Sequence, residues 1–340
     1  MPHTHHSHSG TYCAHADPSS SLKSMFQTAL DRGFTVFAMT EHMPREDQDL
    51  YPEEIEAKYS AQTLATRFDE FVEEAVHLRE IYERTGSLSA SPSESPAPNS
   101  QPQSPSQHQQ NPCTILIGLE SEWLRPTTLT LLHSLLTKHS RHLDFILGSV
   151  HYVHTIPIDF DRTTYLRARA ACNPPTDAQL FMDYFDAQFE MLRELRPRVV
   201  AHFDLIRLLA DVPDGGWGPG DENEDGKEKE DEDGRKAIWG KIIRNLSFIH
   251  SYSGLLEINT SAWRKGLQDP YPRREIVKAW VGIGGDVVLS DDSHSVSQVG
   301  TNYDRLKGFL QECGVGRVAY LSREEGKLGI GHVGVEELLG

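Results

Sequence analysis

The chain has 340 residues, of which 38% are hydrophobic, and a formal charge of −17 at pH 7. The length allows one barrel-sized domain, and the acidic charge argues against proteins that hold nucleic-acid backbones, because these need clustered lysine and arginine. No apolar run approaches the roughly 18 residues that cross a bilayer, and the four cysteines lack CxxC spacing. We therefore expect a reduced, cytoplasmic protein without disulfides or a thiolate zinc site.

The amino-terminal segment MPHTHHSHSGTYCAHADP has four histidines among its first eight residues. A purification tag would be a homopolymeric run followed by a spacer, whereas these histidines continue directly into the domain. In His6-Ser7-His8 both imidazoles would point to one side of a short strand, where they could bind one ion. Surface histidines are an equal alternative for this motif alone, and His3 and His5 are not expected to be ligands.

Short β-branched apolar runs alternate with helical periodicity along the rest of the chain. The clearest helical pattern runs from Leu64 to Tyr82, with apolar residues three and four positions apart. Repeated strand–helix alternation predicts a parallel sheet, either closed into a barrel or open and doubly wound. No glycine-rich phosphate-binding motif follows a strand, which disfavours an open nucleotide-binding sheet. The predicted strands are Phe34–Met39, Thr114–Leu119, Phe145–Val150, Val199–His202, Leu255–Asn259, Val287–Ser290 and Val318–Leu321.

Two segments of biased composition interrupt this pattern. Residues 86–112 are rich in serine, proline and glutamine, and their low apolar content predicts a disordered insertion. Residues 214–235 include the acidic run DENEDGKEKEDEDG and are predicted to form a flexible loop. Because the strand pattern continues on both sides of each segment, we interpret residues 1–340 as a single domain.

Six predicted strands end at, or just before, a side chain that can bind metal. In a β/α barrel the carboxyl ends of the strands lie on one face, so these side chains would meet there. Each has an ordinary alternative: a rim histidine is usually hydrogen-bonded, Glu120 could pair with an arginine, and Asp291-Asp292 could cap a helix. Their coincidence favours metal, because so many imidazoles and carboxylates are costly to bury without a cation. The converging residues are His15, His42, Glu120, His151, His202, Asp292 and His294.

The motifs HSHS, TEH, GLE, GSVH, AHFD and DDSH follow one another in an order that resembles the PHP (polymerase and histidinol phosphatase) superfamily. Within it, HSHSGTYCAHA, TEHMPR, GSVHYVHTIPIDFD, HFDLIR and LEINTSAWRK resemble the histidinol-phosphatase branch, especially its fungal members. The motifs extend from His6 to His294, and both biased segments fall between them. The resemblance implies a distorted (βα)7 barrel, an α/β fold, with three divalent metal ions at the carboxyl ends of the strands.

The resemblance also implies the ligands of these ions, with one glutamate bridging two of them. Imidazole and carboxylate ligands suit zinc, iron or manganese. Glu120, Asp292 and His294 are the ligands expected to act most directly in catalysis. The implied ligands are His6, His8, Glu120 and Asp292 for the first ion, Glu120, His151 and His202 for the second, and His15, His42 and His294 for the third.

The function implied by the resemblance is hydrolysis of L-histidinol phosphate in histidine biosynthesis. Closely spaced divalent ions bind a phosphate ester, activate water and stabilise the leaving alkoxide, so no protein nucleophile is needed. Arg264 and Lys265 are the implied phosphate ligands. Arg207 and Arg45 are further candidates, although each of the four could form a surface salt bridge instead.

The rest of this small-molecule substrate carries an amine and an imidazole, which call for an acidic or aromatic wall. Glu122, Asp159 and Asp161 lie near motif ends and could supply it. A second possible function is that of another PHP-type phosphoesterase or exonuclease, which the acidic charge disfavours. A third is a noncatalytic metal-binding protein, which would not need ligands from so many segments. No nucleic-acid or membrane partner is expected, and the metal identity and oligomeric state stay open.

Overall fold

The structure is a computed structural model that describes residues 2–88, 113–215 and 229–339. Strands and helices alternate along most of the chain. The strands are β1 (His3–Thr4), β2 (Val36–His42), β3 (Thr114–Glu122), β4 (Phe145–Ser149), β5 (Tyr152–Val153), β6 (Ile156–Pro157), β7 (Val199–Val200), β8 (Leu255–Asn259), β9 (Val287–Ser290), β10 (Arg317–Glu324) and β11 (Lys327–Gly334). The helices are α1 (Leu22–Asp31), α2 (Pro52–Glu56), α3 (Ala61–Thr85), α4 (Thr128–Lys138), α5 (Arg162–Ala170), α6 (Asp177–Leu195), α7 (Lys229–Ser251), α8 (Ser261–Arg264), α9 (Arg274–Gly282), α10 (Tyr303–Glu312) and α11 (Val335–Leu339).

Seven strands form one sheet in the order β1-β2-β3-β4-β7-β8-β9, and every neighbouring pair is parallel. The two edges of the sheet approach each other. The His5 N–H donates to the Leu289 carbonyl at 3.2 Å, and Ser7 forms a parallel bridge with Ser293. The sheet is therefore a nearly closed barrel, and the predicted (βα)7 architecture is confirmed.

One predicted strand lies outside the barrel sheet. Val318–Leu321 falls in β10, which pairs antiparallel with β11, and the seventh barrel strand is instead β1. An apolar run predicts an extended segment but not its partner, because pairing depends on the rest of the fold. The hairpin places Ala319 and Leu321 in the same apolar cluster as Val36 and Ala38 of β2. It therefore fills the amino-terminal end of the barrel.

His5 links this hairpin to the barrel. Its buried ring donates from Nδ1 to the Leu289 carbonyl at 2.9 Å, and its Nε2 accepts the Leu321 N–H at 3.1 Å. Burial lowers the pKa of His5 to about 4, so the ring is neutral and can make both bonds. This histidine has a structural role at the end of the barrel opposite the strand carboxyl ends.

The inner face of the barrel changes from apolar to polar along the strands. Leu116 of β3 and Leu255 of β8 lie in the interior apolar cluster. Alternation along a strand then brings Glu120 and Glu122 to the inner face of β3, and Glu257 to that of β8. All three carboxylates are buried. Apolar side chains thus fill the amino-terminal half of the barrel, and ionisable side chains fill the carboxyl half.

Helix α3 ends where the serine- and proline-rich segment begins. It starts after Ser60, whose hydroxyl accepts the Thr63 N–H, and it stops at Gly86, whose φ of 69° requires the left-handed region. Beyond the segment, the Cys113 N–H donates to the Tyr82 hydroxyl at 3.1 Å. The residues that flank the insertion therefore lie side by side. Residues 89–112 of the predicted insertion lie outside the described residues.

Part of the predicted acidic loop is helical in the structure. Residues 216–228 lie outside the described residues, whereas α7 begins at Lys229, within the predicted loop 214–235. Lysine and glutamate are good helix formers, so a high charge density did not prevent helix formation there. No helix in the described ranges is long and apolar enough to span a membrane.

Candidate active site

Glu120 lies at the centre of a cluster of histidines inside the carboxyl end of the barrel. Its Oε2 atom is 3.2 Å from Nε2 of His6, 3.2 Å from Nε2 of His8 and 3.0 Å from Nδ1 of His42. Oε2 is buried and makes no hydrogen bond to any described residue. A buried carboxylate oxygen that faces three imidazole nitrogens without a hydrogen bond is suited to a cation.

The other oxygen of Glu120 faces a second pair of histidines. Oε1 is 2.9 Å from Nε2 of His202 and 3.5 Å from Nε2 of His151, and it accepts the Ser149 hydroxyl at 2.7 Å. His202 has a positive φ of 51°. This left-handed backbone turns its side chain inward just after Ala201, which already faces the barrel interior.

The imidazole nitrogens lie as close together as ligands of one ion. Nε2 of His6 is 3.0 Å from Nε2 of His8, and Nε2 of His151 is 3.2 Å from Nε2 of His202. Two nitrogens bound to one Zn²⁺ at about 2.0–2.1 Å would lie roughly 2.9 to 3.4 Å apart, depending on the coordination angle. Asp292 Oδ1 completes the first pair, at 3.7 Å from His6 and 3.8 Å from His8.

The third implied group also comes together. Nε2 of His42 is 3.3 Å from Nε2 of His15, and the rings of His15 and His294 have centroids 5.1 Å apart. The buried Cys13 thiol joins donors of His8, His42 and His294 in one group, with all ligand atoms within 4.8 Å. The sequence analysis did not predict Cys13 here, because a lone cysteine without a CxxC partner carries no metal signal of its own.

Two carboxylates and one backbone carbonyl behind the histidines fix the imidazole tautomers. His6 donates from Nδ1 to Glu257 at 3.0 Å, and His151 donates from Nδ1 to Glu122 at 2.9 Å. His294 donates from Nδ1 to the Asp292 carbonyl at 2.9 Å. Each Nε2 lone pair is then free to face the centre of the site.

Glu257 and Glu41 are absent from the predicted site. Glu41 lies 3.4 Å from Nδ1 of His8. The alternation that brings Glu120 to the inner face of β3 would also have indicated Glu257, two residues before Asn259 on β8. Glu41 precedes the predicted ligand His42 directly and carried no such signal.

The pKa shifts of Glu120 and its neighbouring histidines are in the direction that favours positive charge beside this carboxylate. Burial opposes ionisation of Glu120, yet the facing imidazoles of His6 and His42 hold the pKa of Glu120 well below its ordinary value. Burial likewise opposes protonation of His6 and His42, but Glu120 raises both their pKa values well above the ordinary range. Burial lowers the pKa of His294 to about 3, so that ring is neutral, as metal binding requires.

A cavity of about 430 Å³ opens above these side chains. His15, His42, Glu120, His151, His202, Asp292 and His294 all contribute to its lining. Arg264 and Lys265 also line it, and the Arg264 guanidinium donates to the carbonyls of Asp291 at 2.6 Å and Asp292 at 2.8 Å. The implied phosphate-binding cations are therefore held beside the histidine cluster.

The same cavity has an acidic and aromatic side. Glu53, Asp159, Tyr51 and Phe160 line it. Oε2 of Glu53 and Oδ1 of Asp159 are buried and make no hydrogen bond to any described residue, and burial raises the pKa of Glu53. These oxygens can accept hydrogen bonds from a ligand in the cavity.

Two of the four candidate phosphate ligands do not line the cavity. Arg45 is buried, pairs with Glu54 and Glu122, and stacks on Tyr51. Arg207 is also buried, and its guanidinium contacts the carboxylates of Asp204 and Asp214 and two backbone carbonyls. Their charges are paired with carboxylates of the protein, which disfavours direct phosphate binding by either. A sequence motif shows that an arginine follows a strand but not which carboxylates surround it.

The predicted acidic wall divides in a similar way. Asp159 lines the cavity. Glu122 instead lies behind the histidines, against His42 at 2.8 Å and His151 at 2.9 Å. Asp161 caps α5, where its carboxylate accepts the Thr164 N–H at 2.6 Å. The structure describes all three of these predicted wall residues, and of the three only Asp159 is placed to contact a ligand in the cavity.

Two known proteins have sequences that align with almost the whole chain. A "Probable histidinol-phosphatase" of Schizosaccharomyces pombe is 38% identical over 318 residues, covering 93% of this chain and 88% of the relative. The histidinol-phosphatase of Saccharomyces cerevisiae is 33% identical over 330 residues, covering 91% of this chain and 88% of the relative.

Solved structures share the fold at much lower sequence identity. HisK of Listeria monocytogenes superposes with a TM-score of 0.64 at 17% identity, covering 89% of this chain and 99% of that one. The histidinol phosphate phosphatase of Lactococcus lactis, crystallised with zinc, L-histidinol and phosphate, superposes with a TM-score of 0.59 at 16% identity, covering 96% of this chain and 98% of that one. The PHP domain model matches residues 4–261. Because that model spans most of the chain and both fungal relatives align along nearly all of it, the chain belongs to the PHP domain family, as the order of its motifs predicted.

Proposed function

We propose that this chain is a metal-dependent phosphomonoesterase that hydrolyses L-histidinol phosphate to L-histidinol and phosphate. One observation carries the proposal: a single cavity joins a cluster of metal-binding side chains, two cations and a set of unpartnered carboxylates. The substrate has the matching polarity, with a phosphate at one end and two basic groups at the other. The names of the two fungal relatives, and the L-histidinol and phosphate bound to the Lactococcus lactis protein, support the same reaction.

The donor set fits divalent cations. The buried, unpartnered Oε2 of Glu120 and the close approach of the Nε2 atoms of neighbouring histidines are the features that a cation would satisfy. We assign three ions, of zinc, iron or manganese, and the zinc in the Lactococcus lactis structure supports this choice of metals. When bound, such ions supply a hydroxide at neutral pH and stabilise the charge of the departing alkoxide. The ligands are His6, His8, Glu120 and Asp292 for the first ion, Glu120, His151 and His202 for the second, and His15, His42 and His294 for the third.

The protein contributes binding and orientation. Arg264 and Lys265 bind the phosphate oxygens from the side of the cavity next to Asp292. Arg264 is anchored on two backbone carbonyls, so its direction is set before substrate enters. Glu53 and Asp159 accept hydrogen bonds from the amine and imidazole of the substrate, which places the ester bond above Glu120.

The alternative functions fit the cavity less well. An exonuclease needs a groove lined with lysine and arginine for a polyanion, whereas this cavity carries two such cations beside carboxylates, and the chain has a charge of −17. A noncatalytic metal-binding protein has no need for cations and unpartnered carboxylates around an open space. We place the reaction in the cytoplasm, and the four free cysteines of the structure support a reduced compartment.

The decisive experiment compares phosphate release from L-histidinol phosphate with release from a panel of other esters. The metal-loaded protein is assayed with L-histidinol phosphate, a simple aryl phosphate, a nucleoside monophosphate and a single-stranded oligonucleotide. We expect kcat/KM to be highest for L-histidinol phosphate by a factor of 100 or more (about 2.7 kcal/mol). Equal turnover of the small esters would support a general phosphoesterase, and no turnover of any ester would support the noncatalytic alternative.

A further inference from the structure

A second group of metal-binding side chains lies outside the barrel mouth, which is the carboxyl end of the barrel where Glu120 and its neighbouring histidines lie. His154 is in the turn between β5 and β6, Cys172 follows α5, and Asp183 is in α6. Nε2 of His154 is 3.6 Å from the Cys172 sulfur and 2.8 Å from Oδ2 of Asp183. The nitrogen, sulfur and oxygen all lie within 4.8 Å of one another, although they come from three different segments.

The separation of these donors suits one zinc ion. With Zn–N of about 2.0–2.1 Å and Zn–S of about 2.3 Å, tetrahedral geometry places the nitrogen and sulfur about 3.6 Å apart. The observed distance between His154 Nε2 and Cys172 Sγ is 3.6 Å. The nitrogen–oxygen distance is shorter than the roughly 3.4 Å of a shared ion, because a proton now lies between His154 and Asp183. An ion would occupy the position of that proton.

The surrounding residues hold the three donors in place. Gln179 donates to Oδ1 of Asp183 at 2.7 Å, which leaves Oδ2 directed at His154. The Cys172 thiol donates to the Ala168 carbonyl, and burial together with Asp183 raises the pKa of Cys172 to about 12. The thiol is therefore protonated without an ion, and a cation beside the sulfur would favour the thiolate.

The turn that carries His154 is energetically unfavourable for its residue types. His154 and Thr155 have positive φ values of 53° and 62°, so both central residues of this two-residue hairpin are left-handed. Asparagine and glycine are preferred in such turns, and a β-branched threonine is an outlier. The His154 side chain is 39% exposed, so solvent reaches the open side of the group.

We propose that His154, Cys172 and Asp183 bind one Zn²⁺, with water as the fourth ligand, at a structural site separate from the barrel mouth. Thiolate and imidazole together favour zinc over magnesium, calcium or manganese. On binding, the Cys172 thiol releases its proton to solvent, and the His154 proton moves from Nε2 to Nδ1. The ion ties the β5–β6 hairpin to α6. That hairpin connects His151 to Asp159, both of which line the cavity.

Cobalt substitution tests which sulfur binds the ion. Metal-free protein is loaded with Co²⁺, and the near-ultraviolet thiolate-to-cobalt charge-transfer band is recorded for wild type, Cys172→Ser, Cys13→Ser and Cys313→Ser. Cys13 is the thiol near the barrel-mouth histidines, and Cys313 is a buried cysteine outside both groups. We expect the band in every protein except Cys172→Ser. Its absence from wild type, its survival in Cys172→Ser or its loss in Cys13→Ser would overturn the proposal.

A histidine variant tests the site without altering a thiol. Asparagine tolerates the left-handed turn, so His154→Asn removes the imidazole ligand with little effect on the backbone. His332→Asn is the matched control, because His332 pairs with Asp286 at 3.0 Å and is not grouped with a thiol. We expect His154→Asn to bind one zinc fewer per chain than wild type, with kcat within about twofold, and His332→Asn to bind the wild-type number. Equal zinc contents of the two variants would contradict the assignment.

Discussion

Glu120 lies between two groups of histidines at the barrel mouth. One of its oxygens faces His6, His8 and His42, and the other faces His151 and His202. A single carboxylate between two groups of imidazoles can neutralise and bridge two cations, whereas an imidazole nitrogen can bind only one. The loss of its charge should therefore affect more than one ion.

Glu120→Gln is expected to lower the metal content of the protein. It is also expected to lower kcat by more than about 100-fold. The amide keeps the shape of the side chain but has no charge, so the ions proposed on its two sides would lose a shared ligand. Glu73→Gln on the exposed face of α3 is the control. Elemental analysis and steady-state kinetics measure the two effects, and wild-type activity at matched metal content would contradict the bridging role.

Variants of Arg264 test its proposed role in substrate binding separately from metal binding. Arg264→Lys is expected to keep the full metal content but to lose about 2 kcal/mol of transition-state stabilisation, roughly 30-fold in kcat/KM. A planar guanidinium can contact two phosphate oxygens while anchored on the carbonyls of Asp291 and Asp292, and an ammonium cannot. Arg84→Lys in the exposed last turn of α3 is the control. If Arg264→Ala retained the wild-type kcat/KM, Lys265 would be the remaining cation in the cavity lining.

Asp159 and Asp161 form a matched pair, because they lie two residues apart and only Asp159 lines the cavity. Asp159→Asn is expected to raise the KM for L-histidinol phosphate by about tenfold, since a hydrogen bond to a charged group contributes about 1.5 kcal/mol. Its effect on hydrolysis of a simple aryl phosphate should be small. Asp161→Asn should leave both reactions unchanged, because asparagine also caps helices. Equal KM values for the two variants would remove Asp159 from the binding site.

The elements of the barrel position these residues by alternation along strands and by the hydrogen bonds between their ends. Between α3 and β3, the end of the helix and the start of the strand meet at the bond between Tyr82 and Cys113. Leu88 and Cys113 also belong to the same apolar cluster. The described elements on the two sides of residues 89–112 therefore contact each other directly.

Replacement of residues 89–112 by a short glycine–serine linker is expected to leave kcat within about twofold and the melting temperature within about 2 °C. The two flanking elements already contact each other. Shortening the loop between them should therefore change the entropy cost of loop closure only a little. Enzyme assays and thermal unfolding of the shortened protein measure the outcome. A large loss of activity would show that the segment takes part in the site.

At the scale of the whole molecule, the barrel has two ends with different functions. The β10–β11 hairpin closes the amino-terminal end with apolar side chains and is tied to the barrel by His5. The carboxyl end holds several buried carboxylates, including Glu120, Glu122 and Asp292. We expect a bound cation to stabilise that end, because like charges buried close together repel one another.

Removal of metal by a chelator is expected to lower the melting temperature by roughly 5 °C or more, which corresponds to binding energy of about 2–3 kcal/mol. Addition of Zn²⁺ or Mn²⁺ should restore both the melting temperature and activity. The same measurement on Cys172→Ser separates the barrel-mouth ions from the proposed structural ion. An unchanged melting temperature after verified metal removal in both proteins would contradict a stabilising role for bound metal.

The sequence by itself determined the family, the fold class and the residue types at the barrel mouth. Motif order and alternation depend on neighbours within a few residues, and those relations are present in any extended or helical segment. The tertiary structure alone decided which imidazoles face which oxygen of Glu120. It also showed that Arg45 and Arg207 are paired with buried carboxylates, and that Val318–Leu321 closes the barrel rather than joining its sheet. These outcomes depend on contacts between residues far apart in the chain, because pairing, burial and charge neutralisation are properties of the packed molecule.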